Sequence, residues 1–298
     1  IISMDIINST TTMQVLDSEI SYINSGSGRP IIFIHGMPTS SFLWRHIIED
    51  LQQDYNCLAL DLIGMGNSGK PDIEYNIHDH INYFSAWLEQ LNLDTKPILV
   101  MHGWGSVIGT EYARLHQDSV AGLVFYEAHL RAAKKWSMLS LPVQQWSAEL
   151  LQHRKYSKRA VLEQNVLVND LFPCGSLHKF SASEMASYRA PFQTSASRAV
   201  LWQYLQELPL GEQSPGISDL IDNYSSWLQK CTIPKLLCFG VPGFTTTIDT
   251  IDWAKHNISE LSLCDIGDAL HFAQESSPKV LASNIAIWLK DVPILSCC

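Results

Sequence analysis

Three times within the first 116 residues a short apolar run ends in a glycine-bearing turn and passes into a stretch of helical period. This rhythm limits the fold more than any other feature. The runs are residues 30–35 (PIIFIH), 57–61 (CLALD) and 97–102 (PILVMH). Runs this uniformly apolar are buried on both faces, so they belong to a parallel sheet whose connections are helices. A fourth run, 120–127, ends on Glu127; two more follow at 235–240 and 259–266, before an amphipathic segment at 279–290. From 128 to 209 no such run occurs. That stretch reads as helices broken by Pro142, Pro173 and Pro191 and carries Trp136, Trp146, Trp202, Phe172, Phe180 and Phe192. The expected organisation is an α/β core in two parts, residues 1–127 and 217–298, with an inserted helical cap over 128–216. The segment 210–217, with Gly211, Pro215 and Gly216, is a hinge between cap and core or a plain surface loop.

A chain of 298 residues can bury one large core. Its 20 basic and 30 acidic residues leave a net charge of −10, which disfavours binding to nucleic acid or to anionic headgroups. No apolar run nears the ~20 residues that span a bilayer, and the first residues lack the basic and apolar regions of a leader. A cytoplasmic protein with a small-molecule substrate is expected. The seven cysteines form no CxxC pair and several sit in apolar runs, as expected of reduced thiols in a reducing compartment; Cys297 and Cys298 read as an incidental tail. Oligomeric state has no signature here.

In an open α/β sheet the chemistry lies beyond the carboxyl ends of the strands. Those ends carry His35 with the turn after it, Asp61 with the loop to Ser68, and His102-Gly103-Trp104-Gly105-Ser106 leading into a helix over 107–116. The last has the form of a nucleophile elbow, a sharp strand-to-helix turn that projects one side chain. Its central residue is Gly103, which has none. His35 and Asp61 are expected to hold loops, Ser106 to face away from the site, and His102 to flank the elbow. His78 and His80, two apart on a helix, point to different faces and make poor joint ligands. The glycine-rich turns lack a dinucleotide fingerprint. No metal and no cofactor are expected.

The motifs HGMPTSSFLWR, DLIGMGNSGKPD, HGWGS and LHFAQE, with the cap segments LEQNV, YRAPF and LWQYLQELP and the strand PKLLCFGVPG, resemble the haloalkane dehalogenase family, in the branch that includes the Renilla-type luciferases. The likeness runs from about residue 17 to 289. It implies an α/β-hydrolase fold with an apolar cavity between core and cap. It also implies an Asp nucleophile where this chain has Gly103, a general base at His271 and a supporting acid at Glu127. The usual hydrolase acid follows the 234–239 strand, where this chain has Gly243 and no carboxylate before Asp249. The halide-holding pair of that branch is matched by Trp104 but not by Met37, which stands where the family has asparagine. Any anion would then rely on the backbone N–H groups of Met37 and Trp104 and on the indole N–H.

Without a carboxylate at 103 no ester to the protein can form there. What remains is a His–Glu pair able to move protons in an enlarged cavity. The leading expectation is an enzyme that uses His271 and Glu127 for non-covalent acid–base work on an apolar oxygenated molecule: hydration, elimination or cyclisation, as in secondary metabolism. The alternatives are a dehalogenase carrying an inactivating Asp-to-Gly change, against which Met37 speaks, and a non-catalytic receptor that keeps the cavity. A luciferase-like oxygenation is weaker, since it too is expected to use an aspartate at the elbow.

Overall fold

A computed structural model describes residues 9–151, 154–209 and 214–297. Eight strands, β1 (Thr10–Val15), β2 (Ser18–Ser25), β3 (Arg29–Ile34), β4 (Tyr55–Leu60), β5 (Ile98–Gly103), β6 (Gly122–Ala128), β7 (Lys235–Pro242) and β8 (Leu261–Ala269), form one sheet. Their spatial order is β1-β2-β4-β3-β5-β6-β7-β8. Pairings are antiparallel for β1 with β2 and β2 with β4, and parallel for all the others. This is the α/β-hydrolase architecture that the resemblance implies. The uniformly apolar runs are the central strands: every residue of β3, β5 and β6 is buried. The first two strands escape a reading for buried runs because β1 is polar and mostly exposed, as an edge strand can be.

Helices α1 (Arg45–Leu51), α2 (Ile77–Gln90) and α3 (Trp104–Leu115) follow β3, β4 and β5. Between β6 and β7 the chain is helical, with α4 (Leu141–Leu151), α5 (Arg154–Leu162), α6 (Ala182–Arg189), α7 (Ala199–Gln206) and α8 (Pro215–Leu228) as its longer pieces. Two more, α9 (Ile248–Asn257) and α10 (Pro278–Leu289), lie after β7 and β8. Residues 210–213 of the suggested hinge lie outside the described residues; Pro215 to Ile217 begin α8. His78 is exposed and His80 buried, on opposite sides of α2. Among the described residues Cys57 and Cys238 are buried thiols, Cys174 and Cys297 are exposed, and all are unbridged; Cys298 lies outside them. No helix among the described residues is long and apolar enough to cross a membrane.

Two buried polar residues brace the loops at the strand ends. His35 Nε2 accepts the Leu62 N–H at 3.0 Å. The Asp61 carboxylate accepts the N–H of Ser41 at 2.7 Å and of Asn67 at 2.8 Å, and Gly66 is packed so closely that a Cβ there would meet the carboxylate at 2.2 Å. Removing Asp61, itself 2 % exposed, strands the N–H of buried Ser41, while the N–H of the exposed Asn67 can turn to water. Asp61→Ala is therefore expected to cost about 1–3 kcal/mol, read as a lower urea midpoint at unchanged slope.

A second polar group gives the fold a pH dependence. Glu207, just past α7, is half-buried and bonds to the backbone at Ile77, the start of α2; its Oε2 is buried without a partner. Burial pushes this carboxyl up to about 7. A carboxyl that keeps its proton in the folded state, yet loses it near the ordinary value when unfolded, favours folding at low pH. That contribution is lost as pH climbs through about 7. The melting temperature is expected to fall across that interval, and Glu207→Gln to flatten the fall.

Candidate active site

The site is built at a mismatch between two neighbouring strands. His102 pairs with Tyr126, but Gly103 pairs with Ala128, so Glu127 is an extra residue in β6. Such bulges re-aim side chains beside functional sites. Glu127 takes φ +48° and Gly103 takes φ +52° with ψ −124°. Both depart from extended backbone at the point where the sheet ends. The turn at Gly103 leads directly into α3, whose first residue, Trp104, has an N–H without an intrahelical acceptor. The loop after β3 approaches closely here: a Cβ on Gly36 would stand 3.1 Å from the Trp104 nitrogen. Ser106 locks the elbow in place. Its hydroxyl donates to the Gly103 carbonyl at 2.6 Å and accepts the His129 N–H at 2.9 Å.

Across from Gly103 stands His271, in the loop after β8. Its Nε2 lies 3.4 Å from where a Cβ on Gly103 would be. Its Nδ1 donates to Glu127 Oε2 at 2.8 Å, with the imidazole 14 % exposed and the carboxylate 1 % exposed. Because a carboxylate only accepts, this bond puts the proton on Nδ1 and leaves the Nε2 lone pair facing the elbow. The two residues that the sequence pairs are thus in contact.

The loop after β7 supplies no acid, but it takes part by another means. The N–H groups of Phe244, Thr245 and Thr246 donate to Glu127 at 3.1, 2.5 and 3.2 Å. Gly243, at φ +67°, makes this wrapping feasible: a Cβ there would meet the Thr246 carbonyl at 2.8 Å. His102 also does more than flank the elbow. Its ring nitrogen Nε2 donates to the His271 carbonyl at 2.8 Å, and the Tyr126 hydroxyl, stacked beside it, donates to the Leu270 carbonyl. Burial, together with His271 nearby, holds the His102 imidazole well below its usual value, so it is a neutral fixture of the backbone that carries His271. Neither the backbone cradle nor this brace has a signature in residue spacing.

A cavity opens over the pair, between the strand ends and the helices that follow β6. Apolar side chains including Leu139, Val143, Trp146, Leu167 and Phe172 line it, and His271 and Met37 form part of its wall. Met37 precedes a cis bond to Pro38 and is 4 % exposed. Gly103 and Trp104 stand behind the lining. Trp104 is 1 % exposed, its indole N–H has no partner among the described residues, and it packs edge-on against His129 and Tyr204, which do face the cavity. Among the described residues one group has metal-ligand geometry: His178, Glu184 and Glu275. The Arg45 guanidinium already sits in it, 2.6 Å from Glu275, so that cluster is an ion-pair network.

The profile of the alpha/beta hydrolase fold matches residues 29–278. A haloalkane dehalogenase of Mesorhizobium japonicum is 34 % identical over 280 residues, 93 % of this chain and 90 % of that one. A coelenterazine h 2-monooxygenase of Renilla reniformis is 31 % identical over 286 residues, 94 % of this chain and 90 % of that one. The crystal structure of a haloalkane dehalogenase from Bradyrhizobium elkani superposes with a TM-score of 0.90 at 29 % identity, covering 95 % of this chain and 97 % of that one.

Proposed function

Since the chain belongs to the α/β-hydrolase fold family, among its haloalkane dehalogenase-like members, we propose that it is an enzyme working without a covalent nucleophile, with His271 as proton acceptor and Glu127 as its orienting partner. The observation that carries this reading is the free Nε2 of His271 aimed at the side-chain-less Gly103, with its other nitrogen tied to a carboxylate. An imidazole so held takes a proton from a bound water, hydroxyl or activated carbon and returns it later in the cycle. The apolar lining favours a substrate that is apolar apart from the group that reacts. Hydration, elimination and cyclisation share this need: proton transfer in a dry cavity, and no ester to the protein.

General acid–base catalysis supplies ~10²–10⁴-fold, enough for a substrate already poised to react. A probe with that property is nitrobenzisoxazole. A base takes its ring C–H proton, the electron pair forms the nitrile and the N–O bond breaks to a coloured phenolate. The wild type is expected to catalyse this elimination, and its intact mass to remain unmodified after incubation with bromoalkanes. A protein adduct, or an elimination that does not depend on His271, overturns the proposal.

A further inference from the structure

The acid–base pair occupies one side of the cavity; a second pair of polar groups occupies another and has no part in holding the first. His129, two residues beyond Glu127, and Tyr204, from α7, both line the cavity wall. The indole of Trp104 packs against both, its ring centroid 6.2 Å from the His129 ring and 5.2 Å from the Tyr204 ring. The backbone of His129 is fully engaged: its N–H donates to Ser106 and its carbonyl accepts from the Tyr224 hydroxyl. The main chain at His129 is thereby fixed, and the ring packs on the Trp104 indole. Yet no hydrogen bond of the ring or of the Tyr204 hydroxyl is found among the described residues, and both residues are only partly buried where they meet the cavity. Polar groups enclosed by apolar walls without partners are costly unless something completes them.

We propose that His129, with Tyr204 packed on the same Trp104 indole, forms a subsite for a neutral oxygen, the carbonyl or hydroxyl of an otherwise apolar substrate, and so fixes which atom of that substrate faces His271. The inference rests on the acid–base reading of the cavity and names the substrate class that reading needs. Burial, and His271 nearby, push the His129 imidazole down to about 3, so at neutral pH it offers one N–H and one lone pair and no charge. Burial likewise holds the Tyr204 phenol protonated, above its usual value. Two uncharged donors suit a ketone or alcohol and offer no counter-charge to a carboxylate or a phosphate; the one guanidinium in the lining, Arg131, is engaged by the Trp253 ring and the Thr250 hydroxyl.

The test compares acetophenone with α-methylstyrene, which replaces the carbonyl oxygen by a methylene and keeps the shape. Binding to the full-length protein is followed by calorimetry. The wild type is expected to favour the ketone by about fivefold or more, the size of one buried hydrogen bond. His129→Leu is expected to abolish the preference while α-methylstyrene still binds, and His129→Gln, which keeps an N–H donor, to restore most of it. His271→Phe is expected to leave the preference in place. An equal affinity of the wild type for the two probes overturns the subsite. So does a preference that survives in His129→Leu but vanishes in His271→Phe, which assigns the oxygen to the base instead. Neither result touches the elimination assay, whose dependence on His271 judges the acid–base reading separately.

Discussion

Gly103→Asp is expected to give a protein that releases bromide from bromobutane, where the unchanged chain releases none. The elbow has room for the new side chain: its Cβ would stand 3.4 Å from His271 Nε2 and 3.6 Å from the Gly36 Cα, ordinary contacts. The backbone is less accommodating. At φ +52° and ψ −124° a residue with a Cβ is strained, which costs about 1–3 kcal/mol and shows as a lower melting temperature. The carboxylate attacks the carbon, bromide leaves, and water deprotonated by His271 cleaves the resulting ester. Turnover is expected to be slow, because Met37 offers the departing bromide no side-chain donor. Adding Met37→Asn supplies one and is expected to raise the rate by about 10²-fold, the scale of a single preorganised donor. Intact mass of Gly103→Asp combined with His271→Phe should show the trapped ester. If the unchanged chain already releases bromide, the missing carboxylate is not what separates it from its relatives.

Loss of the imidazole is the second large effect. His271→Phe is expected to lower nitrobenzisoxazole elimination by ~10²–10⁴-fold, nearly all in kcat, because the ring keeps its volume and the cavity its shape. Phenylalanine is preferable to alanine here. Truncation to alanine would open a path from the cavity to the Glu127 carboxylate, itself a competent base, and mask the loss. Glu127→Gln tests the partner: the amide cannot fully accept from the three loop N–H groups and His271 at once. A smaller loss, with some stability lost as well, is expected. Should elimination persist undiminished in His271→Phe, the base lies elsewhere.

What could be read from the residues alone divides along a physical line. The central strands announce themselves because both their faces are buried, and a run such as PIIFIH has no other use. β1 does not, since it is polar and mostly exposed, and β2 buries only the short mixed stretch Ile20, Ser21, Tyr22 and Ile23. The contact of His271 with Glu127 follows from the resemblance, which sets Glu127 at the end of one strand and His271 in the loop after another, at the same end of the sheet. The cradle of three N–H groups around Glu127 was hidden, because backbone donors leave no trace in side-chain identity. His102 lay beside the elbow in the sequence, but its grip on the His271 carbonyl spans 169 residues and depends on how β5 and β8 are placed. His129 and Tyr204 were hidden for a different reason. Which residues beyond β6 face inward is settled by how short helices pack on one another, and their aromatic-rich composition looks alike on every face.

The loop around Glu127 also fixes where the acid can reside. Related folds can carry that carboxylate at the tip of the seventh strand, but here Gly243 is hemmed in by the Thr246 carbonyl and by Glu127 itself, at 2.8 and 3.1 Å from any added carbon. A side chain at 243 would therefore displace the loop that holds the Glu127 carboxylate. The bulge at 127 and the glycine at 243 are in that sense one device: the first aims the carboxylate and the second leaves room for it.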